Sequence, residues 1–137
     1  MAQSAQALNS EETKILAVSA KERWNPSQIL LEKGVTYQIT ITEIPHWEDG
    51  GITPIDPTEG FMRWYLIPFE GLRRYPAAKW FVLIGSVGRN KQHFFPISQS
   101  PLSYTATATG EFFCFANDVW IAYDNNKGSL GLEIKCL

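Results

Sequence analysis

The chain has 137 residues, of which 45% are hydrophobic, 13% aromatic and 19% charged, with a formal net charge of -2. This length predicts one domain, at residues 12–137, after a loose polar N-terminal arm at residues 1–11. The apolar content excludes intrinsic disorder, and no apolar run approaches the ~18 residues of a membrane-spanning helix. The balance of 12 basic and 14 acidic residues argues against a nucleic-acid partner.

The N-terminal sequence MAQSAQALNSEETK lacks the apolar core of ~7–15 residues that marks a signal peptide. We therefore expect a cytoplasmic protein, for which export would need a non-classical route.

Period-two hydrophobic patterning dominates the chain. Alternating or β-branched segments at 14–19, 28–34 and 35–44 precede a proline- and glycine-rich stretch, predicted to be an irregular loop, at 45–57. Aromatic-rich segments follow at 60–69, 79–88 and 93–98, and further apolar segments at 102–109, 110–118 and 128–137. Eight or nine short strands with turns every ~8–12 residues predict an all-β protein, an antiparallel β-sandwich.

Two cysteines, Cys114 and Cys136, permit one disulfide at most. If the strands flanking loop 117–129 paired with each other, Cys114 would lie opposite about residue 133. We therefore expect two buried free thiols.

The loop NDVWIAYDNNKGS, residues 117–129, offers Asp118, Asp124, Asn125 and Asn126 between two apolar strands. Calcium takes ~6–8 oxygen ligands from carboxylates, amides and carbonyls, and Asn and Asp adopt the tight backbone geometry that gathers them. A polar hairpin turn explains the same residues, and the residues alone favour that turn.

A second polar group lies in and after the long loop. It comprises His46, Trp47, Glu48, Asp49, Asp56 and Glu59. Paired carboxylates near an aromatic ring can perform acid–base chemistry at a glycosidic bond, so Asp56 and Glu59 define a hydrolase alternative. A solvated acidic loop is the simpler explanation.

The C-terminal segment resembles the PA-IL-like (LecA-type) calcium-dependent galactose-binding lectins. The likeness rests on Asn117-Asp118-Val119, then Asn125-Asn126-Lys127-Gly128-Ser129, then the strand LGLEI. Weaker similarity runs from about residue 13 through RWNPSQILLEKG, FVLIGSVG and YTATATGEFFCF. The resemblance implies a jelly-roll-like, galactose-binding β-sandwich that is not an enzyme.

The resemblance also implies a ligand set for one Ca²⁺ ion. The metal ligands would be the side chains of Asp118, Asn125 and Asn126, the backbone carbonyl oxygen of Ala122, and that of Asp49 or Gly50 in the long loop. In this family the metal coordinates two sugar hydroxyls directly, and sugar contacts fall on Asp118, Val119 and Asn125. Family members form tetramers, so a homo-oligomer is expected.

One segment departs from the family. Where the family has His-Pro-Asp-Gln-Gly, with a histidine and a glutamine holding a galactose hydroxyl, this chain has Asp56-Pro57-Thr58-Glu59-Gly60. Ionised carboxylates accept hydrogen bonds but cannot donate them, so the sugar preference is expected to change. Trp47 or Trp120 could stack on the apolar face of a pyranose. A structural or partner-binding sandwich that has lost sugar binding is the main alternative to a lectin.

Overall fold

The computed structural model describes residues 4–137, so the first three residues of the predicted arm lie outside the described range. Nine strands are found there: β1 (Gln6–Ala7), β2 (Thr13–Ser19), β3 (Asn25–Leu31), β4 (Thr36–Asp49), β5 (Leu83–Val87), β6 (Phe94–Pro96), β7 (Leu102–Thr105), β8 (Gly110–Ala116) and β9 (Asn126–Cys136). Short 3₁₀ helices lie between strands at Trp64–Leu72, Lys91–His93 and Trp120–Asn125.

The strands form two sheets. One has five strands in the order β1-β3-β8-β5-β6, and the other has four in the order β2-β9-β4-β7. Neighbouring strands are antiparallel except β1 and β3, which are parallel. The predicted antiparallel β-sandwich is confirmed.

Apolar side chains from both sheets form one core. In β9 the side chains of Leu130, Leu132, Ile134 and Cys136 are buried at every second residue, because alternate side chains of a strand point to the same face and this face lies on the core. In β8 every residue from 112 to 116 is buried. This strand is covered on its outer face as well, where Phe115 packs beside Trp24 and Phe94 in a smaller apolar cluster.

The long pairing of β4 with β9 determines where the candidate site lies. Its register runs from Tyr37 opposite Cys136 to Asp49 opposite Asn126. The end of β4 is thereby held beside the start of β9, which the loop after β8 enters. Asp49, in the predicted long loop, and the Asn125-Asn126 pair are distant in sequence but lie next to each other where these two strands meet.

The predicted start of the long loop at residue 45 is wrong, because β4 continues to Asp49. Pro45 has no N–H to donate to a sheet, which favoured a loop. The strand accommodates it at an irregularity in the β4–β9 register between Glu43 and His46, after which pairing resumes with His46 opposite Ser129.

The predicted aromatic strand at 60–69 is also wrong. The segment turns into the 3₁₀ helix Trp64–Leu72, which has no buried residue and contains Pro68. Its apolar side chains lie at the surface, where Trp64 is 81% exposed. The aromatic content of this segment therefore reflects a surface feature rather than a core strand.

The N-terminal arm is not loose over its described part. Gln6 and Ala7 pair with Ile29 and Leu30, and the Glu11 N–H donates to the Cys136 carbonyl at 2.7 Å. These bonds tie residues 6–11 to both sheets.

Both cysteines are free and buried, as predicted. The supposed pairing of their strands is wrong, however, because β8 pairs with β3 and β5 while β9 pairs with β2 and β4. Within residues 4–137, no helix is both long enough and apolar enough to cross a membrane.

Candidate metal and ligand site

A cleft of about 310 Å³ lies where the end of β4 meets the loop after β8. We call it the Asp118 cleft. Its lining has a polar end and an apolar wall and consists of Asp49, Gly50, Ile52, Tyr65, Leu66, Phe69, Trp80, Asp118, Val119, Ala122 and Asn125.

Asp118 supplies a buried carboxylate at the polar end of the cleft. Its residue is only 4% exposed, and its Oδ1 accepts a hydrogen bond from the Val119 N–H at 2.7 Å. Its Oδ2 is buried without a hydrogen-bond partner. Burial raises the pKa of this carboxyl, and the Val119 N–H and the Asn126 side chain offset the increase in part. A buried acceptor without a donor is costly, so this oxygen is a strong candidate ligand for a cation.

Asp49 brings a second carboxylate to the same end of the cleft. Burial, reinforced by the negative charge of Asp118, raises the pKa of Asp49 from 3.8 to about 7. The residues that line the cleft in the described chain include no lysine, arginine or histidine. The two carboxylates therefore repel each other with no basic side chain in the cleft to neutralise them.

Asn126, at the start of β9, adds a fully buried amide beside the cleft. Its Nδ2 donates to the Ala20 carbonyl at 3.0 Å, which orients the side chain. Its Oδ1 is buried without a partner. This is the second oxygen in the region with no donor in the described part of the chain.

Gly50 and Asn125 pack closely at the rim. The Gly50 N–H donates to the Asn125 carbonyl at 3.0 Å, and Gly50 has a φ of 53°. A Cβ atom at position 50 would lie 2.8 Å from the Asn125 Nδ2. The absence of a side chain therefore leaves the space that the Asn125 amide occupies, and the left-handed backbone favours glycine.

Buried polar side chains hold the loop after β8 in place. The Asn117 Nδ2 donates to the carbonyls of Tyr75, Ala78 and Lys79, and its Oδ1 accepts from the Tyr75 N–H at 3.0 Å. The buried Tyr123 hydroxyl donates to the Ala116 carbonyl. These bonds attach the loop to the rest of the sandwich and so fix the backbone that carries the Asp118 carboxylate.

Part of the apolar wall comes from segment 60–69, which was predicted to be a strand. Tyr65, Leu66 and Phe69 of the exposed 3₁₀ helix line the cleft together with Ile52 and Trp80. Aromatic faces beside a polar end are typical of sites that bind a ligand with one apolar and one hydroxylated face.

Most residues of the predicted metal set come together in the structure. Gly50, Asp118, Ala122 and Asn125 line the cleft, as does the predicted sugar contact Val119. Asn126 is buried beside them. Whether these residues bind a metal or a sugar remains a prediction.

Trp47 does not fit its predicted role. It is 1% exposed, and its Nε1 donates to the Phe81 carbonyl at 3.1 Å within the core. A ring that is covered on both faces cannot stack on a sugar, so the expectation for Trp47 is wrong. Alternation in β4 places this ring toward the core, because the strand continues to Asp49.

Asp56 and Glu59 are not among the residues that line the Asp118 cleft. The Asp56 Oδ1 accepts hydrogen bonds from the Thr58 hydroxyl at 2.7 Å and the Thr58 N–H at 2.8 Å. These bonds lower the pKa of Asp56 despite partial burial. Glu59 lines a separate cavity together with Lys79. The structure therefore does not bring this pair to the predicted sugar position.

The Asp49 carboxylate and the apolar wall are the parts of the site that sequence reasoning missed. Asp49 was grouped with acidic loop residues, and only the β4–β9 register shows that it faces the Asn125-Asn126 turn. Within residues 4–137, no cluster of three or more His, Cys, Asp or Glu side chains is arranged to hold a metal. The candidate site thus combines two carboxylates with amide and carbonyl oxygens.

Eight chains of solved structures match this fold. One is described as the N-terminal domain of EclA, a PllA-like lectin, with a TM-score of 0.63 and 16% sequence identity over 90% of this chain and 95% of that chain. At this identity the likeness concerns the fold. No protein-family model and no curated protein matches the chain.

Proposed function

We propose that this protein is a calcium-dependent lectin that binds a carbohydrate diol through one Ca²⁺ ion in the Asp118 cleft. One observation carries the proposal: Asp118 Oδ2 and Asn126 Oδ1 are both buried without a hydrogen-bond partner. Asp118 lines a cleft that also holds the Asp49 carboxylate and that has no basic residue among its described lining residues, and Asn126 is buried beside it.

The donor set fits calcium in particular. All the candidate ligand atoms are oxygens, from Asp118, Asn125 and Asn126 side chains and from the Ala122 and Gly50 carbonyls, and calcium prefers oxygen ligands. No cysteine and no histidine lines the cleft in the described chain, so the donors of a typical zinc site are not offered. A bound cation would satisfy the unpartnered oxygens and offset the repulsion between Asp49 and Asp118.

Two features of the cleft support carbohydrate binding: the coordination positions that a bound metal would leave open, and the apolar surface beside them. A calcium ion held on one side by protein oxygens keeps open coordination positions for two adjacent sugar hydroxyls, which compete poorly with water unless a cation orients them. Tyr65 and Phe69, which are both about half exposed, offer apolar surface for the face of the ring. The PllA-like lectin with the same fold supports this assignment, and the PA-IL-like resemblance favours a galactoside.

We propose a binding protein rather than a hydrolase. The carboxylates of the hydrolase alternative, Asp56 and Glu59, lie outside the lining of the cleft, and Asp56 is engaged by Thr58. Glu59→Gln should therefore leave sugar affinity unchanged within about twofold. A large change in sugar affinity would indicate that Glu59 contacts the sugar after all.

We further propose a homo-oligomer, since several weak sugar sites on one particle bind multivalent glycans with avidity. The PA-IL-like resemblance suggests a tetramer. Sedimentation equilibrium measures the mass directly, and a monomer at all concentrations would contradict this part of the proposal.

The function is tested by binding of immobilised glycans in calcium and in EDTA. We expect galactosides to be retained only in calcium, with Asp118→Asn abolishing retention and the exposed loop variant Asp124→Asn preserving it. Calcium binding without any glycan ligand would instead favour the structural or partner-binding alternative. Turnover of a chromogenic galactoside would favour an enzyme.

A further inference from the structure

A second cavity, of about 410 Å³, carries a concentration of positive charge. We call it the arginine groove. Its lining consists of four basic and three aromatic residues: Arg73, Arg74, Arg89, Lys91, Trp24, Phe94 and Trp120. It shares no lining residue with the Asp118 cleft.

The groove has no acidic lining residue, although the chain as a whole has a net charge of -2. Between residues 4 and 137 the ion pairs are His46–Glu48 and Lys135–Glu11, and neither involves a basic residue of the groove. Four neighbouring cations without a paired carboxylate produce a local positive potential that an anion would relieve.

Arg74 forms the fixed part of this charge. Its guanidinium carbon lies 3.5 Å from the ring centre of Phe115, 4.5 Å from that of Trp24 and 4.7 Å from that of Trp120. Its Nη1 donates to the Tyr123 hydroxyl at 2.9 Å and to the Arg23 carbonyl. Its Nη2 is buried without a hydrogen-bond partner. The guanidinium is thus held in one orientation with a donor left over.

Arg73 repeats this pattern. It is a buried residue whose Nη2 donates to the Pro76 carbonyl at 2.7 Å and whose Nε has no partner. Burial lowers the pKa of Arg73, and the negative charge of Glu70, which does not line the groove, offsets this in part. Two adjacent arginines therefore each retain a buried, unused N–H.

The aromatic residues also give the groove an apolar surface beside its positive charges. Trp120 is 47% exposed, and the Arg89 guanidinium carbon lies 5.6 Å from the ring centre of Trp24. Arg89 and Lys91 are exposed at the entrance. A ligand can therefore place an anionic group among the cations while the apolar face of its ring packs on aromatic surface.

We infer that the arginine groove binds a carboxylate, sulfate or phosphate group carried on a six-membered ring that has an apolar face. Planar guanidinium groups match the geometry of such oxyanions, and the exposed aromatic surface selects for the attached ring. This inference uses none of the residues that line the Asp118 cleft and does not rest on the proposed lectin function. Acidic sugars and aromatic acids share this chemistry, and the choice between them is made by experiment.

The test is calorimetric titration of protein that has been treated with EDTA and then dialysed free of it, so that the Asp118 cleft carries no metal and the chelator's own carboxylates do not compete. The probes are phenyl sulfate, sodium glucuronate, sodium sulfate and phenol. We expect one probe with both ring and anion to bind one site per chain with a dissociation constant below about 1 mM, and phenol and sulfate to bind at least about tenfold more weakly. Tighter binding of glucuronate identifies a sugar ligand, and tighter binding of phenyl sulfate identifies an aromatic acid.

The variant Arg89→Gln/Lys91→Gln removes two exposed charges and should weaken binding by about tenfold or more. The matched control, Lys14→Gln/Lys33→Gln, removes the same charge from exposed positions elsewhere and should bind like the wild type. Equal weakening in both variants would mean that binding depends only on the net charge of the protein, which would overturn the inference. Failure of both ring-bearing anions to bind the wild type would overturn it as well.

Discussion

Replacement of Asp118 by asparagine should stabilise the calcium-free protein while removing its response to calcium. The carboxylate is 4% exposed, has one oxygen without a partner and raises the pKa of Asp49. The substitution keeps the shape of the side chain and removes one of two mutually repelling charges. A residue kept only for folding would not show this combination of effects.

The size of the effect follows from these contacts. Asparagine still places a polar atom at the Oδ2 position, so the gain comes from the lost charge. Removal of a buried charge that repels Asp49 should raise the free energy of unfolding in EDTA by about 1–2 kcal/mol. For a chain of 137 residues this corresponds to an increase of roughly 3–6 °C in melting temperature. Wild-type protein should gain about 2.7 kcal/mol at a hundredfold excess of calcium over its dissociation constant, and the variant far less.

Differential scanning calorimetry at pH 8, with EDTA and with calcium, measures both effects. The order of melting temperatures should reverse: the variant melts higher in EDTA and the wild type melts higher in calcium. Asp124→Asn, which makes the same charge change at an exposed position of the same loop, should retain the calcium response. An Asp118→Asn protein that is destabilised in EDTA and still gains the full calcium increment would refute the reasoning.

Three further predictions concern neighbouring features. Because the folded pKa of Asp49 is raised from 3.8 to about 7, the calcium-free protein should lose stability as pH rises from about 4 to about 7, and Asp49→Asn should flatten this dependence in urea unfolding. Gly50→Ala, whose Cβ would lie 2.8 Å from the Asn125 Nδ2, should weaken calcium binding in calorimetry, whereas Gly51→Ala, with no atom near its added Cβ, should weaken it less. Thiol titration should find two free thiols after denaturation and none accessible in the native protein, since Cys114 and Cys136 are buried; fewer than two after denaturation would reveal a disulfide.

The class of fold and the polar loop were predictable because their signals are local. The alternation in β9 can be read directly from the sequence and is present in the structure. The predicted loop 117–129 is shorter than expected, because β9 begins at Asn126. Asp118 could be singled out for the same reason, since a carboxylate just after an apolar strand lies where that strand ends.

The remaining features depend on contacts between distant segments. The position of Asp49 at the cleft follows from its register opposite Asn126, which spacing along the chain does not give. Pro45 suggested that β4 ends early, yet an irregularity in the pairing accommodates it. Trp47 then points into the core, and the misassigned segment 60–69 supplies an apolar wall because its own core contacts are few.

The most direct test of the central claim is calorimetric titration of calcium into protein freed of metal by a chelator, followed by titration of a galactoside into the same sample. The proposed site predicts one calcium ion per chain and sugar binding only after calcium has been added. Absence of calcium binding by the wild type, or sugar binding of equal strength in EDTA, would contradict a calcium-bridged lectin site at Asp118.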